Sequence, residues 1–143
     1  MNDRYDSVIV DVIVRVMIPL IQLFGLYVLV FGHYSPGGGF QAGALLAASV
    51  LLARVSLGRR ESQRLFPVAW APLMATAGIL IYLLTGLIPM LFGGSFLDYA
   101  HLPLGGLDAV HRRYEGIFAV ELGVTLAVAG VLILIYDSIT REE

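Results

Sequence analysis

The sequence contains no cysteine and no lysine; all nine of its basic residues are arginine. The missing cysteine rules out disulfides, thiol catalysis and iron–sulfur ligation by this chain. Charge of either sign is scarce: charged residues are 14% of the chain, against about 25% in an average soluble protein. Net charge is −2, so there is no basic field to draw in nucleic acid. Enzyme signatures are missing too. There is no HExxH, no GxSxG, no dinucleotide fingerprint and no P-loop ending, and the three histidines fit no zinc spacing. The reading is a chain without a catalytic site, metal or cofactor of its own. The start, Met-Asn-Asp-Arg-Tyr-Asp, lacks the basic opening and small-residue cleavage site of a signal peptide, so the first apolar segment is expected to be retained.

What is present is apolar. Hydrophobic residues make up 58% of the 143 residues. A soluble core of this size cannot absorb so much apolar surface, whereas lipid can serve as its solvent. Four stretches approach the ~20 residues a helix needs to cross ~30 Å of hydrocarbon. They run over about 8–31, 40–57, 69–92 and 116–136, and the third carries no charge. Backbone groups in lipid must bond internally, which favours helices, and the many short alternating segments of a β-barrel are missing. The fold expected is an all-α integral membrane protein: one domain over residues 1–143 with four transmembrane helices.

Orientation follows from arginine. Four crossings place both termini and the second connection on one side, with Arg4, Arg54, Arg59, Arg60, Arg64 and Arg141; the other side has Arg112 and Arg113. Positive residues favour the cytoplasm, so both termini are expected there, with Trp70 in the inner aromatic belt.

The most unusual string is Gly32-His33-Tyr34-Ser35-Pro36-Gly37-Gly38-Gly39-Phe40-Gln41-Ala42-Gly43. Consecutive glycines cost backbone entropy and suit a sharp bend or a close approach. Two readings stand. The second helix, starting near Gly39, can aim its free N–H groups at an anion, carboxylate or water. Alternatively the string is a tight hairpin followed by a Gly39-xxx-Gly43 helix contact.

Glu121 lies about five residues into the fourth apolar stretch, roughly 7–8 Å below its outer end. Ionisable residues in membranes are costly and usually face protein or water on an ion path; the alternative is a hydrogen bond to a neighbouring subunit. Thr125, one turn on, shares its face. Gly123 is expected to let another helix approach. Asp11 and Arg15 read as a structural i, i+4 pair, Arg112 and Glu115 as a surface pair, and Asp137 as solvated. Pro19, Pro72 and Pro89 are expected to kink or end helices. His33, His101 and His111 fall on the outer side, each either a locally satisfied polar group or part of a proton relay.

The His33–Gly43 string resembles the signature of the MnhB/MrpB family, small membrane subunits of Mrp multisubunit sodium/proton antiporters. The match lies at His33, Pro36, Gly37, Gly38, Gly39, Phe40, Gln41 and Gly43, with Ala42 where glycine is common. Glu121-Leu122-Gly123-Val124 resembles the family's Glu-x-Gly-Val in its last helix. The resemblance implies a multi-pass subunit of the prokaryotic cytoplasmic membrane. Its partners would be other Mrp subunits, and it would support assembly and the path of Na+ and H+. Related modules occur in membrane-bound hydrogenase- or sulfur-reductase-type complexes, which is the alternative.

Overall fold

A computed structural model describes residues 8–32 and 38–140. Four long apolar helices form as expected: α1 (Val8–Phe31), α2 (Gly39–Ser56), α4 (Trp70–Leu91) and α5 (Ala109–Ile139). Each is long and apolar enough to cross a bilayer. The chain is an integral membrane protein built of helices.

Two features depart from the expected layout. The connection after α2 is not a plain loop. Gly58, at φ +76°, turns the chain into a short helix, α3 (Gly58–Leu65). The last helix begins at Ala109, well before the apolar boundary expected near 116. Asp108 explains this: it takes an extended N-cap conformation, and its side chain accepts a hydrogen bond from the His111 backbone N–H. The polar segment His111–Glu115 is therefore the helical approach to the apolar span, which leaves Glu121 five residues below its start.

Two of the three prolines singled out, both in α4, sit where they disturb least or cap a turn. Pro72 falls in the first turn of α4, and Pro89 in its last turn, where its carbonyl accepts from Phe92 and Gly94. Pro19 lies inside α1.

In space the spanning helices follow the order α1, α2, α5, α4. Small residues do the packing. Ala42, Ala47, Ala53, Ala71 and Ala129 are buried, while Leu73, Leu84 and Leu91 are exposed. Soluble proteins show the reverse; here lipid accepts the large side chains and close backbone approach holds the helices together. On α4, Gly78 seats against Gly123 and Ala127 of α5, and Gly130 of α5 seats against Ala71 and Ala75. The connection after α4 folds back: the Phe96 ring covers Gly86, and Tyr99 covers Gly116.

Candidate functional site

Helix α2 opens on Gly38, its N-cap residue, and Gly39, both buried. The next inward positions on that face are Ala42 and Gly43, also buried. A side chain on this face would strike α5. A Cβ on Gly38 would lie 2.9 Å from Glu121 Oε1, and one on Gly39 would lie 2.7 Å from the Glu121 carbonyl oxygen. One turn deeper, a Cβ on Gly43 would lie 2.7 Å from the Thr125 carbonyl oxygen and 2.9 Å from Val128 Cβ. The expected Gly39-xxx-Gly43 contact is present, and its partner is the last helix.

The hydroxyl of Thr125, almost fully buried, lies 3.0 Å from the Gly39 carbonyl oxygen and 2.8 Å from the Glu121 carbonyl oxygen, and its one proton is shared between these two acceptors. Thr125 thus supports the junction through backbone carbonyls. The Gly39 carbonyl belongs to the other helix, so this hydroxyl ties α2 to α5 inside the bundle, where a polar contact has no water to compete with it.

Two expectations are sharpened here and a third, the Arg112–Glu115 pair, is corrected. Gly38 has φ −80°, ψ −64°, ordinary helical backbone that any residue adopts, so of the two uses of glycine the close approach applies there, to the Gly32 backbone and the Glu121 carboxyl. Gly123 lets another helix approach, as expected, but that helix is α4 and the approach is not beside Glu121, since two residues along α5 is about 200° round the helix. Glu115 is exposed and makes no ion pair with Arg112 among the described residues; Arg112 lines a cleft under the 100–105 segment.

Of the remaining motif residues, Phe40 and Gln41 are exposed on the side of α2 turned away from this junction. His33, Pro36 and Gly37 lie outside the described residues. His101 pairs locally with Asp98 at 2.8 Å and His111 with Asp108 at 2.5 Å, both exposed on the connection and first turn before the α5 span. Hydrogen bonds from the His111 backbone and side chain hold the Asp108 carboxyl below its ordinary value. Asp11 and Arg15 pair at 2.9 Å, half exposed, as a structural pair should.

A second polar cluster was missed. Asp137 is not solvated: it is buried against Arg54 of α2, with Nε 3.1 Å from Oδ1 and Nη2 3.2 Å from Oδ2. Arg54 Nη1 also reaches the buried Ser62 hydroxyl of α3 at 3.3 Å. The only sequence signals for it were an arginine and an aspartate at the same end of two spans.

Comparison with known proteins fits this geometry. Residues 9–134 match the family model described as a domain related to the MnhB subunit of Na+/H+ antiporter. The chain belongs to the MnhB family. Among its relatives is a Bacillus subtilis protein named as a Na(+)/H(+) antiporter subunit, 32% identical over the whole of both chains. A Staphylococcus haemolyticus protein named as an antiporter subunit, mnhB2, is 32% identical across 92% of this chain and 93% of its own. The MnhB-family resemblance drawn from the glycine string and the Glu121 segment therefore holds over nearly the full length. The described part of that string, from Gly38 on, meets the helix turn that begins at Glu121, about 80 positions away in the chain.

Proposed function

We propose that this chain is a membrane subunit of a multisubunit Na+/H+ antiporter, acting within the complex and holding no catalytic site of its own. Its relatives carry antiporter-subunit names, so the redox-driven alternative is not favoured. The complex sits in a prokaryotic cytoplasmic membrane, with both termini of this chain inside, as the arginine distribution requires. Within that role, Glu121 lines the ion path near its outer end, and Gly38, Gly39, Gly43 and Thr125 hold it there.

The observation that carries this reading is the seating of Gly38 against the Glu121 carboxylate. A carboxylate inside a membrane is costly, and apolar side chains were available for a purely structural site. A backbone stripped of side chains brings another helix start up to it instead. That arrangement supports a carboxylate that meets a proton and a sodium ion in turn.

Glu121→Gln keeps the shape and removes the charge. The complex should still assemble, as read by co-purification of its other members. Antiport in everted vesicles should fall, or shift in its pH or sodium dependence. Unchanged antiport across pH and sodium would make Glu121 a structural contact. So would loss of assembly in both Glu121→Gln and Glu121→Asp.

A further inference from the structure

Arg54 lines two cavities. One, about 180 Å³, is the more polar: Arg59, Gln63, Tyr136 and Thr140 line it together with the Arg54–Asp137 pair and Val68. The other, also about 180 Å³, is apolar; Leu46, Val50, Trp70, Met74 and Ile133 line it, and Arg54 forms its end. Arg54 is common to both.

We propose that these two cavities form one binding site for an anionic glycerophospholipid, headgroup beside Arg59 and one acyl chain in the apolar cleft. The charge is right. In the polar cavity Asp137 matches Arg54, which leaves the positive charge of the exposed Arg59 facing it with no second carboxylate among the described lining residues. Gln63 and Tyr136 add neutral polar groups suited to phosphate or glycerol oxygens. The polarity gradient is right too. Trp70, an interfacial residue type, lines the apolar cleft near the headgroup level. From Arg54 the cleft descends past Val50 to Leu46 on α2, eight residues or about 12 Å along the helix. A molecule that fits both halves is charged at one end and hydrocarbon at the other. Basic pockets between helices on the cytoplasmic side are suited to anionic headgroups. Membrane lipid is the one such molecule always at hand.

The site does not depend on Glu121 or on transport; it rests on the proposed function only for its assignment to the inner leaflet. Photoreactive phosphatidylglycerol and photoreactive phosphatidylcholine, each introduced at equal content into vesicles holding the intact complex, test it. The adducts are mapped by peptide mass spectrometry. Phosphatidylglycerol should label the 46–54 and 70–74 segments at least several-fold more than phosphatidylcholine. Arg59→Gln, a change at an exposed position, should bring phosphatidylglycerol labelling down to the phosphatidylcholine level. Met74→Trp, which fills the cleft, should reduce labelling by both. Equal labelling by the two lipids in the wild type would overturn the proposal, as would labelling that neither variant alters. A benzoylphenylalanine at position 74 that crosslinks to another protein of the complex instead of lipid would also overturn it, and would show the cleft to be a protein contact.

Discussion

Replacing Asp137 with asparagine should leave the Arg54 guanidinium without its counter-charge inside the protein. The side chains of the pair are 4% and 11% exposed, and two nitrogens of Arg54 face the two carboxylate oxygens at 3.1 and 3.2 Å. Removing one member of a buried pair costs roughly 3–5 kcal/mol, because the remaining charge stays desolvated. The polar cavity beside the pair admits water, and Ser62 retains one contact to Arg54, so the lower end of that range applies. A loss of about 3 kcal/mol lowers the folding equilibrium constant by a little over two decades. Denaturant titration of the purified chain in micelles would read it directly.

The double variant Arg54→Met, Asp137→Leu separates an uncompensated charge from lost packing. Buried ion pairs exchanged for apolar residues of similar volume are often neutral. The double variant should therefore recover most of the loss. A cost below about 1 kcal/mol for Asp137→Asn, the range of surface pairs, would mean that the pair is solvated and the reasoning wrong. A double variant as unstable as the single one would equally refute it.

Gly43→Ala should cost about 1–3 kcal/mol through overpacking, because even a methyl group falls 2.7 Å from the Thr125 carbonyl oxygen; Gly105→Ala, with nothing within 4 Å, should be neutral in the same titration. Cysteines introduced at the exposed positions Arg60 and Ser95, in a chain that has none of its own, should be labelled by an impermeant thiol reagent from inside and outside respectively. The reverse pattern would invert the topology; Ser62 would be a poor reporter, being buried beside Arg54. The Asp108 carboxyl is held below its ordinary value, so its cap on α5 is present above the ordinary carboxylate range and is lost only as pH falls through the lowered value. Asp108→Ala should speed amide exchange at His111 near neutral pH and leave the apolar part of α5 unaffected; unchanged exchange would show the cap to be idle.

The spans were legible because length and apolar content alone decide what crosses a bilayer. The start of α5 was not, because hydropathy locates the edge of the hydrocarbon and not the end of a helix. Its signal was Asp108, a capping residue followed by His111, and a polar turn that continues into the span. The α3 segment reads Gly-Arg-Arg-Glu-Ser-Gln-Arg-Leu, a polar run that passes for a loop until its one buried residue, Ser62, is seen to fit beneath Arg54. Gly39 and Gly43 announced a helix contact, and their spacing was enough for that. It could not name the partner, since the partner lies more than 80 residues away. The Arg54–Asp137 pair failed to appear for the same reason: each residue alone, at the end of a span, looks like an ordinary charge near the headgroups.

Helix α5 explains why the polar chemistry collects where it does. Positions 121, 125 and 128 meet α2, whereas 123, 127 and 130 meet α4. The two sets share the same spacing, offset by two residues, so they lie on opposite sides of one helix. On the α4 side Gly78, Gly123 and Gly130 bring the two backbones together, and α4 itself has no charged side chain from Trp70 to Leu91. On the α2 side stand Glu121 and, one turn on, the Thr125 hydroxyl; Asp137, 16 residues or about 24 Å along the helix and about 160° round from Glu121, meets Arg54 beyond these contacts. The α4 face can therefore be varied in bulk with consequences for stability alone. A change on the α2 face alters both the packing that holds the two helices together and the Glu121 carboxyl seated in that packing. Transport and assembly should consequently separate for substitutions that preserve volume, such as Glu121→Gln, and fail together for those that add it, such as a side chain at Gly39.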